Sequence, residues 1–122
     1  MKILKFITKS MCDIYRAYLY AFNGLKIVSK EERAFKQEVA ISAVLFILLF
    51  YLKLDLLDKV IMGFSLGIVL VTELLNSAIE ATVDLVTSEY HDLAKKAKDI
   101  ASTAVLVSII MCICVWGVLL LR

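Results

Sequence analysis

Residues 100–121 carry no charged side chain over 22 consecutive positions, and most of them are apolar. A helix of about 20 apolar residues is long enough to cross the hydrocarbon core of a bilayer. The sequence is 61% hydrophobic. A soluble domain of 122 residues could not bury so much apolar surface, because small domains bury only about two-thirds of the surface that their unfolded chain exposes. The chain is therefore predicted to be an integral membrane protein of one domain. Its net charge of only +2 argues against nucleic acid as a partner.

Two further apolar segments predict a protein with three spans. Residues 60–79 are long enough to cross, although they contain Glu73. Residues 39–52 carry no charge. This run is short and could also be a buried core helix. As a span it can extend to about residue 54, because the aliphatic stem of Lys53 can lie in the hydrocarbon while its charge reaches water. We predict an all-α membrane protein with spans at about 39–54, 60–79 and 100–121, surface helices within 1–38 and a cytoplasmic polar segment at 80–99.

The distribution of basic residues predicts the orientation. Of the 14 Lys and Arg residues, 11 lie in residues 1–38 and 80–99, which three spans place on the same side. Lys53, Lys59 and Arg122 lie on the other side. Because basic residues favour the cytoplasmic face, the amino terminus is predicted to be cytoplasmic and the carboxyl terminus outside.

Residues 2–22 have the periodicity of an amphipathic helix. At 100° per residue, the apolar side chains that share one face are Leu4, Ile7, Met11, Ile14, Tyr15, Tyr18 and Phe22. Basic side chains dominate the opposite face, which is typical of a helix at the membrane surface; the alternative is a helix packed on the protein's own core. Asn23-Gly24 predicts a helix end, followed by a second polar helix at about 29–38.

A polar stripe interrupts the second span. Glu73, Asn76, Glu80 and Asp84 fall within about 80° of one another on a helix, with Ser77 beside them. An ionisable group at the centre of a span costs about 3 kcal/mol on insertion scales, and such groups usually mark a functional site. Four on one face favour a function over simple hydrogen bonding between helices.

Paired carboxylates on one face suit two kinds of chemistry. They can bind a hard cation such as Mg²⁺, which prefers oxygen ligands, and one of them can serve as a general base. Glu73 lies deepest, where a lipid hydroxyl could reach it, and Glu80 lies two turns nearer the cytoplasm. A small transporter with an intramembrane cation site, or a structural membrane subunit, are the non-enzyme alternatives.

The segment 80–99 adds lysines and further acids. Lys98 is a plausible phosphate partner, whereas Lys95 and Lys96 are expected to form a solvated face near anionic lipid. His91 is the only histidine, which excludes a site with several histidine ligands, and by itself it is expected to be a loop or cap residue. The three cysteines are expected to be packing residues, because their spacing fits neither zinc nor a disulfide framework.

Residues 73–102, ELLNSAIEATVDLVTSEYHDLAKKAKDIAS, closely resemble the signature of the prokaryotic diacylglycerol kinase family. NGLK at 23–26, EERAFKQE at 31–38 and the three-span plan extend the resemblance to nearly the whole chain. The resemblance implies a homotrimer of three-span subunits, each with an amphipathic amino-terminal helix. It also implies phosphorylation of a lipid hydroxyl that depends on ATP and Mg²⁺.

The resemblance also implies roles for individual residues. Glu73 corresponds to the catalytic base, and Glu32 and Glu80 to metal-binding carboxylates. The residues that correspond to the nucleotide site are Tyr20, Asn76, Lys98 and Asp99. Family polar positions with less defined roles are occupied by Glu38, Asp84, Glu89 and His91.

The chain departs from the family pattern near its amino terminus. Tyr20-Ala21-Phe22-Asn23 stands where the family has a serine, a tryptophan and a basic residue, and Asp13 replaces an expected arginine, for which Arg16 is a possible substitute. SEYH at 88–91 and QE at 37–38 favour the branch that converts diacylglycerol to phosphatidic acid in the bacterial inner (cytoplasmic) membrane. TVDLVT and DLAKKAKD are closer to the undecaprenol branch, the alternative.

Overall fold

A computed structural model describes residues 1–122, apart from the side chain of Lys2. Nearly all of these described residues lie in four α-helices: α1 (Lys2–Glu31), α2 (Arg33–Tyr51), α3 (Leu56–Val86) and α4 (Asp92–Leu121). The predicted all-α class is confirmed. The chain divides into two compact units, Met1–Glu32 and Arg33–Arg122, and each is described by itself.

The first unit is a single helix, α1, which continues across Asn23-Gly24. The helix end predicted at this dipeptide is therefore wrong. Gly24 keeps a negative φ, and one glycine inside a helix costs only about 1 kcal/mol. The helix ends instead at Glu32, which is extended (φ −90°, ψ 112°) and donates its backbone N–H to the Val28 carbonyl. The polar helix predicted at 29–38 is thus divided between α1 and α2.

The apolar face of α1 is exposed. Its side chains retain between 47% and 69% of their full exposure at Leu4, Ile7, Met11, Ile14, Tyr15, Tyr18 and Phe22. A continuous apolar surface of this kind marks contact with a membrane or another protein.

The second unit is built around α3, which packs against α4 along its length and against part of α2. The short 87–91 connection makes α3 and α4 antiparallel neighbours. The core of the unit is an apolar cluster in which Met62 is fully buried, and its buried members are Leu49, Met62, Leu66, Val69, Cys112 and Trp116.

Polar contacts connect α3 to α4 inside this apolar surrounding. The Trp116 indole Nε1 donates a hydrogen bond to the Met62 carbonyl at 3.4 Å, and Ser65 Oγ lies 3.3 Å from Cys112 Sγ. Hydrogen bonds and close packing are what hold helices together in lipid, where apolar surface gains little by leaving the bilayer.

Three of the helices, α2, α3 and α4, are long and apolar enough to cross a membrane. The chain is therefore a membrane protein, with many large apolar side chains exposed on these helices. At 31 residues, α3 is about 46 Å long, so it exceeds the hydrocarbon core of about 30 Å. Most of the polar segment 80–99 is helical, because α3 extends to Val86 and α4 begins at Asp92.

Candidate functional site

The polar stripe of α3 runs from the buried interior to the surface. Glu73 is 4% exposed and Asn76 is 9% exposed. One turn further on, Glu80 is half-buried, and Asp84 is exposed. The spacing predicted from the sequence therefore gives a row of oxygen atoms that begins inside the helix bundle and ends in a polar surrounding.

Asn76 connects the buried part of the stripe to Glu80. Its Nδ2 donates a hydrogen bond to Glu80 Oε1 at 3.2 Å. Its Oδ1 is buried and, among the described residues, accepts no hydrogen bond; the same holds for the hydroxyl of the neighbouring Ser77. Because a buried polar atom without a partner costs free energy, these oxygens are available to a ligand, a cation or another polypeptide.

Glu38 brings a second carboxylate towards Glu73 from α2. The two lie close enough for their charges to repel one another. Glu38 is half-buried, and its Oε2 finds no hydrogen-bond partner within the described part of the chain. It lines a groove of about 270 Å³ whose other walls are mostly apolar side chains of α2, α3 and α4, among them Leu45, Leu66 and Ile109. An alkyl chain in this groove would lie beside the Glu38 carboxylate.

A polar cleft of about 410 Å³ lies at the other end of the stripe, between the last turn of α3 and the first turns of α4. Lys98 Nζ donates a hydrogen bond to Asp84 Oδ1 at 2.5 Å, which joins the two helices. Lys95 forms an ion pair with Asp99 one turn along α4. Basic and acidic groups on opposite walls suit a ligand that carries both phosphates and hydroxyl groups.

The loop that closes this cleft is ordered by two local contacts. His91 is the N-cap of α4: its Nδ1 accepts a hydrogen bond from the Leu93 backbone N–H at 3.2 Å. Thr87 Oγ1 accepts the Glu89 backbone N–H at 3.2 Å. Because an N-cap satisfies a backbone N–H that the first turn leaves free, His91 stabilises the start of the helix that carries Lys95 and Lys98.

Tyr20 and Glu32 belong to the first unit. Tyr20 is exposed on α1, and Glu32 is half-buried at the end of that helix. The shared metal site predicted for Glu32 and Glu80 therefore stays a prediction. Within the described side chains, no cluster of three or more His, Cys, Asp or Glu is arranged to hold a metal ion. The cysteines of the described chain are free thiols.

The sequence did not predict the partner of Thr72, the residue before Glu73. Thr72 Oγ1 lies 2.8 Å from Ser108 Oγ on α4, and the Ser108 hydroxyl also contacts the Val105 carbonyl at 2.7 Å. Ser108 is one hydroxyl in a long apolar run, and nothing in the run shows which neighbour it faces. This contact joins α4 to the turn of α3 that carries Glu73.

Comparison with known proteins shows the same pattern over most of the chain. The family model for prokaryotic diacylglycerol kinase matches residues 19–120. A diacylglycerol kinase of Escherichia coli K12 is 38% identical over 93% of each chain. One from Helicobacter pylori J99 is 40% identical over 89% of this chain and 85% of its own. An undecaprenol kinase of Bacillus subtilis is 37% identical over 81% of each chain.

The family model covers α2 and α3 completely, α4 except for Leu121, and the last part of α1 from residue 19 onwards. These matches confirm the predicted enzyme class, with a nucleotide as phosphoryl donor and a lipid as acceptor, over the transporter and structural alternatives. The chain belongs to the prokaryotic diacylglycerol kinase family, whose members are lipid kinases.

Proposed function

We propose that this protein transfers the γ-phosphoryl group of ATP to the free hydroxyl of diacylglycerol, which yields phosphatidic acid and ADP. The observation that carries the proposal is the stripe of α3, in which a 4%-exposed Glu73 and a cleft beside Lys98 stand at opposite ends. An apolar acceptor can approach Glu73 from the membrane, and a water-soluble donor can approach the cleft beside Lys98. The stripe between them is about 16 Å long.

In this proposal Glu73 is the general base. The acceptor hydroxyl oxygen attacks the γ-phosphorus while the bond from that phosphorus to the β–γ bridging oxygen breaks. The hydroxyl proton passes to the Glu73 carboxylate, and ADP leaves. Glu38 lies close to Glu73, so a second carboxylate borders the position of the acceptor hydroxyl.

The donor lies in the cleft at the cytoplasmic end. Lys98 contacts the phosphates, and Asp99, Asn76 and Tyr20 contact the nucleoside or its phosphates. Phosphoryl transfer depends mainly on positioning and on neutralisation of charge, so a few polar side chains on rigid helices are sufficient for this mechanism.

Oxygen donors on the stripe fit a Mg²⁺ ion. The Glu80 carboxylate and the buried, unpartnered Asn76 Oδ1 are hard ligands of the kind that Mg²⁺ selects. Glu80 and Glu32 would hold the ion, as the family resemblance implies. When bound, the ion neutralises charge on the β- and γ-phosphates.

We further propose that the protein lies in the bacterial cytoplasmic membrane, with α1 on its cytoplasmic surface and residue 122 outside. The excess of 11 basic residues over three supports this orientation. The polar cleft between α3 and α4 is then on the side where ATP is present.

The active form in this proposal is a homotrimer whose sites lie between subunits. One subunit leaves buried oxygens of Asn76 and Ser77 without partners within its described residues, and its apolar flanks are open. If one subunit supplies Glu73 and another the nucleotide site, a mixture of Glu73→Gln and Lys98→Gln subunits should recover activity that neither variant has alone. Mixed trimers with no activity would exclude a shared site.

The proposed function is tested with purified protein in mixed micelles, with γ-labelled ATP, Mg²⁺ and either diacylglycerol or undecaprenol as the acceptor. Labelled phosphatidic acid is the expected product. The relative from Bacillus subtilis named undecaprenol kinase makes undecaprenol the second candidate acceptor. A protein that labels only undecaprenol would refute the substrate proposal, and one that labels neither acceptor would refute both.

A further inference from the structure

An ion pair joins the two helices that border the polar cleft. Asp84 is in the last turns of α3, and Lys98 is in the second turn of α4, fourteen residues later in the chain. Their side chains meet across the mouth of the helical hairpin with Nζ and Oδ1 2.5 Å apart. Both residues line the cleft, so the contact lies inside the candidate nucleotide site.

The pair restricts a side chain that is otherwise mobile. A lysine carries its charge on a flexible four-carbon stem and has three N–H donors. Lys98 retains 36% of its side-chain exposure, whereas Asp84 retains 61%, so the ammonium is the more enclosed partner. The contact with Asp84 uses one donor, and two donors remain for phosphate oxygens. After Asp84, the Glu80 carboxylate also attracts this ammonium.

We propose that Asp84 is a positioning residue, which holds the Lys98 ammonium in the cleft. The Lys98 side chain is then already in the conformation that contacts the phosphates of the nucleotide. This inference rests on the proposed function of the cleft and adds to it. Asp84 itself contacts neither substrate and acts only through Lys98.

The alternative is that Asp84 only braces α3 against α4. The molecule contains a matched control for this, because Arg122 and Asp58 form an ion pair between the same two helices at their other end, 3.1 Å long. A bracing role predicts that Asp84→Asn and Arg122→Gln have similar effects, both on stability. A positioning role predicts that only Asp84→Asn changes the response to nucleotide.

The experiment measures kcat and KM for each substrate separately in wild type, Asp84→Asn, Asp84→Glu and Arg122→Gln. We expect Asp84→Asn to raise the KM for ATP about tenfold, as expected for one lost charge-assisted hydrogen bond, with the KM for the lipid unchanged. Asp84→Glu keeps the charge and should restore most of the loss. Arg122→Gln should leave both KM values as in wild type.

A double-mutant cycle completes the test. The cycle is measured as equilibrium affinity for ATP, because Lys98→Gln alone has no activity. If Asp84 acts through Lys98, Asp84→Asn weakens ATP binding in the wild type and has no further effect on a Lys98→Gln background, whereas a direct contact between Asp84 and the nucleotide gives additive losses. An Asp84→Asn variant with the wild-type KM for ATP, or equal changes in both KM values, would overturn the inference while wild-type activity preserves the proposed function. A wild-type protein without kinase activity would overturn both. If Asp84→Asn does not fold, the comparison uses Asp84→Glu in the wild-type and Lys98→Gln backgrounds instead.

Discussion

Arg122 Nη2 donates a hydrogen bond of 3.1 Å to Asp58 Oδ2, and this contact ties the end of α4 to the first turn of α3. The Asp58 side chain is only 10% exposed, whereas that of Arg122 is 66% exposed. A buried carboxylate thus depends on a partner that solvent can reach. Asp58 also lies where a negative charge favours the helix dipole.

This contact predicts a graded loss of stability. Arg122→Gln should lower the free energy of unfolding by about 1 kcal/mol, since one partner is exposed. Asp58→Asn should lower it further, because it also removes the charge from the first turn of α3. Unfolding in detergent followed by circular dichroism measures both. Equal midpoints for Arg122→Gln and wild type would contradict the prediction.

Glu73 and Glu80 should fail in different ways when their charge is removed. Glu73→Gln should lower kcat by at least about 100-fold, as expected for loss of a general base, with the KM for ATP retained. Glu80→Gln should raise the Mg²⁺ concentration needed for half-maximal activity. Kinase assays over a Mg²⁺ series distinguish the two variants.

Both variants remain isosteric with the wild type, so circular dichroism should show unchanged helix content. A Glu73→Gln variant that turns over at the wild-type rate would exclude the base assignment, even if the protein is a kinase. A Glu80→Gln variant with normal Mg²⁺ dependence would exclude Glu80 as a ligand.

The hydroxyl pair beside Glu73 should make a small contribution to stability. Ser108→Ala removes the 2.8 Å contact with Thr72, and hydrogen bonds between helices in membranes contribute about 0.6 kcal/mol on average. Thr72→Val on the same background should then cost little more. Thr82→Val is the control, because its hydroxyl donates a hydrogen bond to the Ala78 carbonyl of its own helix. A Ser108→Ala effect no larger than that of the control would show that the pair is not coupled.

Gly67 offers a test of subunit contact through α3. Gly63 and Gly67 form a G-x-x-x-G pattern, which lets helices approach closely in membranes, and they line an open apolar groove of about 630 Å³. A Cβ atom on Gly67 would meet nothing within 4 Å of the single chain. Gly67→Leu should therefore leave the subunit folded and shift the proposed trimer towards smaller species.

Analytical ultracentrifugation in detergent measures this shift. Gly117→Leu on α4 is the matched control, because a Cβ atom there also meets nothing within 4 Å. If Gly67→Leu keeps the wild-type mass while Gly117→Leu loses it, subunits associate through α4 instead.

The helical class and the three long apolar helices could be predicted because uncharged runs of this length have few alternatives. The row of Glu73, Asn76, Glu80 and Asp84 on one face follows from the 100° rotation per residue. The helix end at Asn23-Gly24 was predicted wrongly, since a glycine permits a helix end without requiring one.

Contacts between helices were not predictable from the amino-acid sequence of one chain. Asp84 meets Lys98 only because the 87–91 loop, with His91 as cap, sets the register of α4 against α3. The same register brings Ser108 to Thr72, although both lie in largely apolar runs. A hydrophobic pattern identifies a helix and its faces, but not the depth at which a neighbour is placed beside it.

Because α3 is longer than the hydrocarbon core is thick, the depth of its carboxylates in the membrane depends on the thickness of the bilayer. If Leu56 lies at the outer boundary of the hydrocarbon, Glu73 lies about 26 Å along the helix, just inside the inner boundary of a core about 30 Å thick. A membrane a few ångströms thinner would place this carboxylate among the headgroups, and a thicker one would draw Glu80 towards the hydrocarbon. The kinase activity should therefore depend on the thickness of the surrounding bilayer.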